Sequence, residues 1–180
     1  ILISTTKKNN LDFIENIFFE NPQHNFPIII VNQAGKIKNS NNKNIKIINT
    51  ETKGLSKSRN MAIKNSSKKF CLLADDDIIY KNGFYKTIEQ AFEENLDADI
   101  ITFMMVDKNG KHFKKYPNNI KHNYKSIRGV NSVVIAFKRE SIIENNIQFD
   151  TLFGLGATFE TGEEYLLSLI HISEPTRLRS

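Results

Sequence analysis

The sequence predicts a three-layer α/β sandwich on a mixed, mainly parallel sheet, and three observations carry that expectation. Short apolar runs alternate with segments whose apolar residues recur at helical spacing, the order of parallel strands joined by crossover helices. One run, Ile28-Ile-Ile-Val31, is apolar at every position, as in a strand covered on both faces. A turn signature, Asp107-Lys-Asn-Gly110, separates two strand-like segments and brings in antiparallel pairing. No linker divides the chain, so a single domain is expected over residues 1–166.

Each element has its own signal. Ile1-Leu-Ile-Ser4 reads as a buried strand. Leu11, Ile14, Ile17 and Phe18 recur at helical spacing, and Asn21-Pro22 ends that helix. Phe26 to Val31 is the second strand and Ile45-Lys-Ile-Ile48 a short third, with a Lys/Asn/Ser-rich loop between them. Ser56 is placed as the N-cap of a helix running to Ile63. Phe70-Cys-Leu-Leu-Ala74 is the fourth strand and leads directly into Asp75-Asp76-Asp77. Phe84, Ile88, Ala91, Phe92 and Leu96 share one face of a strong amphipathic helix. Residues 99–106 form a fifth strand and residues 111–115 a shorter polar one. Residues 131–137 form a sixth, followed by a short helix over residues 140–144. Phe153 to Gly162 is a glycine-bearing loop, and Glu163-Glu164 opens a last helix.

Composition sets the broad class. The 180 residues are 39% apolar and 25% charged, the make-up of a folded soluble domain. The net charge of +5 is modest and its lysines are scattered. That suits a general attraction to anions, such as nucleotides, phosphate or an acidic membrane surface. It lacks the dense basic stripe of a nucleic-acid binder, so no nucleic acid is expected. The single cysteine, Cys71, excludes an internal disulfide and fits a small core residue in a reducing compartment. No apolar run is long enough to span a bilayer, and no signal peptide is visible. The chain starts inside a strand, so an N-terminal piece is expected to be missing. Residues 167–177 resemble the translation of an adapter used in sequencing libraries, so residues 167–180 are set aside as a non-native tail. The natural chain is then expected to continue beyond Leu166.

Ligands of open α/β sheets bind beyond the carboxyl ends of the strands. Three polar groups fall at such ends: Ser4-Thr5-Thr6, Asn32-Gln33 and Asp75-Asp76-Asp77. The Asp triplet is the sharpest, because adjacent carboxylates repel one another unless solvated or bound to a cation. In extended chain Asp75 and Asp77 point to one side and Asp76 to the other. A divalent ion held by one or two carboxylates plus substrate phosphates is the usual magnesium or manganese arrangement. A solvated acidic turn capping the strand is the bland alternative. Gly54 to Asn60 opens a helix whose exposed amides, with Arg59, suit a diphosphate. An ordinary capped helix with Arg59 in solvent explains the same residues. Glu163 and Glu164 suit either a helix dipole or a general base. His24, His112 and His122 have no partner at metal-ligand spacing and are expected on the surface.

Together these segments resemble a family 2 glycosyltransferase of GT-A fold, of bacterial surface-polysaccharide type. The resemblance covers nearly all of residues 1–166. It rests on Ile3-Ser-Thr5, Ile28-Ile-Ile-Val-Asn-Gln33, Gly54-Leu-Ser-Lys-Ser-Arg-Asn60 with Ala62, Leu72-Leu-Ala-Asp-Asp-Asp77, and Phe153-Gly-Leu-Gly156 leading to Gly162-Glu-Glu164. It implies inverting transfer from a nucleoside-diphosphate sugar, with a UDP-sugar favoured, to a saccharide or lipid-linked acceptor. Asp75 and Asp77 match the DxD motif, the first near the ribose and the last on a Mn²⁺ or Mg²⁺ ion, with Asp76 inside the same donor-binding motif. Thr5 matches the base pocket and Arg59 the basic residue near the nucleotide. Glu164 matches the acid that deprotonates the acceptor, with Glu163 beside it. Asn32 and Gln33 stand where many relatives carry an Asp; an amide can still bond a base or ribose edge. A cytoplasmic enzyme at the inner membrane face is implied. A nucleotidyltransferase is one rival, weakened because residues 4–9 hold no glycine. A non-catalytic cation- or nucleotide-binding module is the other.

Overall fold

The computed structural model describes residues 1–23, 25–116, 121–123, 126 and 130–162. Four parallel strands form the body of the sheet: β1 (Leu2–Thr6), β2 (Ile28–Gln33), β3 (Ile45–Thr50) and β4 (Phe70–Ala74). β5 (Ile100–Thr102) and β6 (Ile135–Lys138) complete it, with β6 antiparallel to both β4 and β5. The order is β3-β2-β1-β4-β6-β5. The helices are α1 (Asp12–Ile17), α2 (Leu55–Asn65), α3 (Phe84–Glu94) and α4 (Arg139–Glu144).

Strand alternation sorts the core into two layers. Ile3, Ile28 and Ile30 pack with Phe13, Ile14 and Ile17 of α1. The intervening Leu2, Ile29 and Val31 pack with Ala62 and Ile63 of α2 and Ile142 of α4. Leu72 and Ala136 meet Ile88 and Phe92 of α3, and Phe84 joins α3 to the α1 layer. The result is the three-layer sandwich expected, with α1 and α3 on one face and α2 and α4 on the other. Each fully buried Ile here contributes about 1.5–3 kcal/mol.

Some boundaries differ for physical reasons. α2 starts at Leu55 with Gly54, not Ser56, in the capping position. Gly54 has φ 118, which an L side chain rarely adopts, and the Ser56 hydroxyl instead donates to Phe153 O at 2.6 Å. Of the segment at residues 99–106, only Ile100–Thr102 pairs as strand. The expected polar strand reduces to one bridge, Val106 to His112, across the turn at Asp107–Gly110. Ser132–Val134 form a short 3-10 turn before β6, so that strand begins four residues late. His112 and His122 are exposed. The helix opened by Glu163-Glu164, His24 and the tail over 167–180 lie outside the described residues.

Candidate functional site

β1 connects through α1 to β2 on one side, while β3 crosses through α2 to β4 on the other. The sheet therefore changes direction between β1 and β4, and the crevice beyond their carboxyl ends is where such folds bind ligands. Thr5 and Thr6 end β1 at that point, and Asp75-Asp76-Asp77 leave β4.

The acidic turn is held from both faces of the sheet. Asp75 continues the alternation of Leu73 toward α2, where Arg59 Nη2 lies 3.6 Å from Asp75 Oδ1. Asp76 continues that of Ala74 toward α1, where it accepts from Thr5 Oγ1 and pairs with Lys8 Nζ at 3.0 Å. Asp75 and Asp76 thus take opposite sides, as extended chain demands. The chain then turns at Asp76–Asp77, and Asp77 is exposed.

Polar side chains buried beneath the turn have partners, as burial requires. The Ser58 hydroxyl donates to Ser4 Oγ at 2.9 Å, tying α2 to β1. Arg59 is only 2% exposed; its Nη2 donates to Ser132 Oγ and its guanidinium lies 5.4 Å from the Phe149 ring centroid. The solvent-facing Arg59 of the ordinary-helix reading is excluded, and the side chain sits behind Asp75 rather than in front of it. Tyr80 donates to Leu73 O at 3.3 Å, and burial, with the Asp75 charge, holds its phenol well above the ordinary range.

The amides at the end of β2 follow the same alternation. Asn32 is fully buried on the α1 side: its Oδ1 accepts from Lys8 N at 3.1 Å, and its Nδ2 donates to Lys8 O at 2.9 Å and Asn49 Oδ1 at 3.1 Å. Gln33, on the α2 side, clamps the Gly54 peptide by two bonds, Nε2 to Gly54 O at 2.9 Å and Gly54 N to Oε1 at 3.0 Å. The start of α2 is also covered by the glycine-bearing loop, where Leu55 N donates to Leu155 O at 2.9 Å, so its first amide is not open to an anion. Asn60 likewise exchanges two 2.8 Å bonds with the Phe149 backbone. Glu163 and Glu164 lie outside the described residues.

Thr5, Arg59 and the Asp triplet therefore meet at one crevice, with Asn32 and Gln33 framing it. Lys8, Ser58 and Ser132 were not legible as site residues; only their contacts across the fold reveal them. No group of three His, Cys, Asp or Glu forms a metal cage among the described residues. The carboxylates present fit an ion that takes one or two of them and completes its shell with phosphate and water. A separate cleft of about 900 Å³, lined by Phe26, Phe70, Phe84 and Ile88 among others, opens at the amino ends of β1 and β4, away from these groups.

The sequence profile of glycosyl transferase family 2 matches residues 14–157. Among solved structures, residues 1–349 of TarS from S. aureus superpose with a TM-score of 0.66 at 17% identity, over 96% of this chain and 55% of that one. The same TarS fragment in complex with UDP gives 0.65 at 15% identity, over 96% and 55%. In complex with UDP-GlcNAc it gives 0.64 at 18%, over 92% and 53%. The chain spans about half the length of these structures, and the likeness bears out the GT-A sandwich. A search of curated proteins finds no match. With its acidic turn at the switch point and the family profile matched over most of its length, the chain belongs to glycosyl transferase family 2.

Proposed function

We propose that this chain carries the donor half of an inverting glycosyltransferase of cell-surface polysaccharide synthesis. It moves a sugar from a nucleoside-diphosphate sugar to a hydroxyl of a saccharide or lipid-linked acceptor. The observation that carries the reading is the acidic turn at the β1/β4 crevice, tied to Thr5 from one face and Arg59 from the other. Rigid placement of carboxylates at that spot suits a divalent cation that would in turn bind a donor diphosphate, because catalysis by positioning fails when the groups drift. The TarS complexes with UDP and UDP-GlcNAc favour a UDP-sugar here.

Asp77 and Asp75 would hold a Mn²⁺ or Mg²⁺ ion, which when bound offsets charge growing on the departing diphosphate. Asp76 and Thr5 shape the nucleoside side of the crevice. Arg59, buried behind Asp75, orients that carboxylate through their ion pair. Asn32 and Gln33 hold the loop and helix start that border the nucleotide. Glu164, with Glu163 beside it, takes the acceptor proton as the acceptor oxygen bonds to the anomeric carbon and the bond to the diphosphate breaks. A general base contributes about 10²–10⁴-fold. The work belongs in the cytoplasm at the inner membrane face, where a basic surplus favours acidic lipid. Residues 167–180 are assigned to a non-native tail on their sequence alone.

Incubation with a panel of nucleotide sugars and Mn²⁺ tests the reading. Release of free nucleoside diphosphate is expected, and EDTA should stop it. Asp77→Ala should cut release at least about 100-fold with an unchanged circular dichroism spectrum, since Asp77 is exposed. Pyrophosphate release would point instead to a nucleotidyltransferase, and binding without either product to a non-catalytic module. Undiminished turnover in Asp77→Ala, with EDTA harmless, would remove the metal role.

A further inference from the structure

Among the described residues, Lys8 and Arg59 both reach the acidic turn, and they are placed differently. Arg59 is 3% exposed in its side chain and lies behind Asp75, whereas Lys8 is 35% exposed and sits at the rim on Asp76. The fold fixes the Lys8 backbone to an unusual degree. Asn32, fully buried, bonds both the N–H and the C=O of Lys8. The preceding Lys7 is turned into the left-handed region at φ 56, a conformation that persists in a non-glycine residue only where its surroundings enforce it. Gly35 presses against the same peptide: a Cβ there would stand 2.7 Å from Lys8 O, 2.8 Å from Lys8 N and 2.9 Å from Asn32 Nδ2. The ammonium lies 5.4 Å from the Phe13 ring centroid. A surface lysine that served only solubility would need none of these restraints.

We propose that Lys8 is a donor-binding residue, its ammonium bridging Asp76 and a phosphate oxygen of the nucleoside diphosphate. An ammonium has three N–H donors, and Asp76 engages it from one side, leaving donors for an anion entering the crevice. A diphosphate must enter beside three carboxylates, and Arg59 approaches Asp75 from behind rather than from the ligand side. Lys8 supplies positive charge on the ligand side and keeps Asp76 from repelling the phosphates. This assignment rests on the nucleotide-sugar reading above and adds a residue to it.

The test compares binding of UDP, GDP, CDP and dTDP, each beside its parent nucleoside, to the wild-type chain, Lys8→Ala and Lys8→Arg by calorimetry in Mn²⁺. Lys8→Ala should weaken binding of the diphosphate about tenfold or more while leaving the nucleoside unchanged, and Lys8→Arg should recover most of the loss. Circular dichroism verifies the fold of each variant; should Lys8→Ala fail to fold, Lys8→Gln carries the same comparison. Equal losses for diphosphate and nucleoside would overturn the phosphate contact and leave Lys8 as a support for Asp76. Undiminished diphosphate binding in folded Lys8→Ala would overturn the assignment alone. A wild-type chain that binds none of the four diphosphates would overturn the donor-site reading and this assignment with it.

Discussion

Arg59 shows how one buried side chain can organise several neighbours. A cation that is 2% exposed is tolerable only if its charge and its donors are matched, and Asp75 and Ser132 help to match them. Met at this position would keep the apolar length against Phe149 and remove the charge, leaving Asp75 without this partner and Ser132 without its donor. Arg59→Met should therefore lower stability by about 1–3 kcal/mol in urea unfolding, the usual cost of stranding a buried polar partner, here Ser132. It should also weaken donor binding through a less restrained Asp75. A midpoint within experimental error of wild type would show that the pair contributes nothing. Lys at this position should recover only part of the loss, because it lacks the planar fork that serves Asp75 and Ser132 together.

α2 divides its labour along its length. Its first turns bury Ser56, Ser58 and Arg59, while Ala62 and Ile63 enter the core. That is why the helix has a weak apolar stripe: half of its buried face belongs to the site. Polar clamps rather than apolar packing set its position at the functional end, through Gln33 on Gly54, Ser56 on Phe153 and Asn60 on Phe149. Asn60→Ala removes both bonds to the Phe149 backbone and should cost about 1–3 kcal/mol. Hydrogen exchange at the Phe149 amide, which donates to Asn60 Oδ1, should accelerate, whereas amides of β1 and β2 should not. Uniform acceleration across the sheet would mean that the clamp supports the whole domain and not the loop over the site.

For the whole molecule, the aromatic layer between α1, α3 and the acidic turn offers a global readout. Tyr80 stacks on Phe84 at 4.3 Å and on Phe18 at 5.8 Å. Burial first, and then the Asp75 charge, raise its pKa above the ordinary tyrosine value of about 10. The unfolded chain therefore loses this proton before the folded one. The associated stability is complete below about pH 10 and falls as pH rises above it. Tyr80→Phe should show a flatter alkaline limb than wild type in denaturant titrations. At neutral pH it should lose about 0.5–1.5 kcal/mol with the bond to Leu73 O. An identical alkaline limb in the two proteins would mean that Tyr80 ionises as easily folded as unfolded.

Apart from the polar strand expected over residues 111–115, the order of strands and helices among the described residues, the two-sided burial of β2 and the placement of the Asp triplet at a strand end were legible in the sequence. They depend on local periodicity and on the rule that ligands gather at carboxyl ends. Helix starts and the extent of β5 and β6 were not, because they turn on partners far along the chain: Gln33 and Leu155 at the head of α2, and Val134 O beside Phe103. At the site, the residue types were legible but their assignments were not. Asp75 and Arg59, Asp76 and Lys8, and Asn32 and the Lys8 peptide meet only after the sheet forms. Alternation along each strand carries only two residues' worth of directional information, so the sequence determined which faces the side chains would take. Only the packing of α1 and α2 on opposite faces decided what met them there, and so which cation is buried and which is left at the rim.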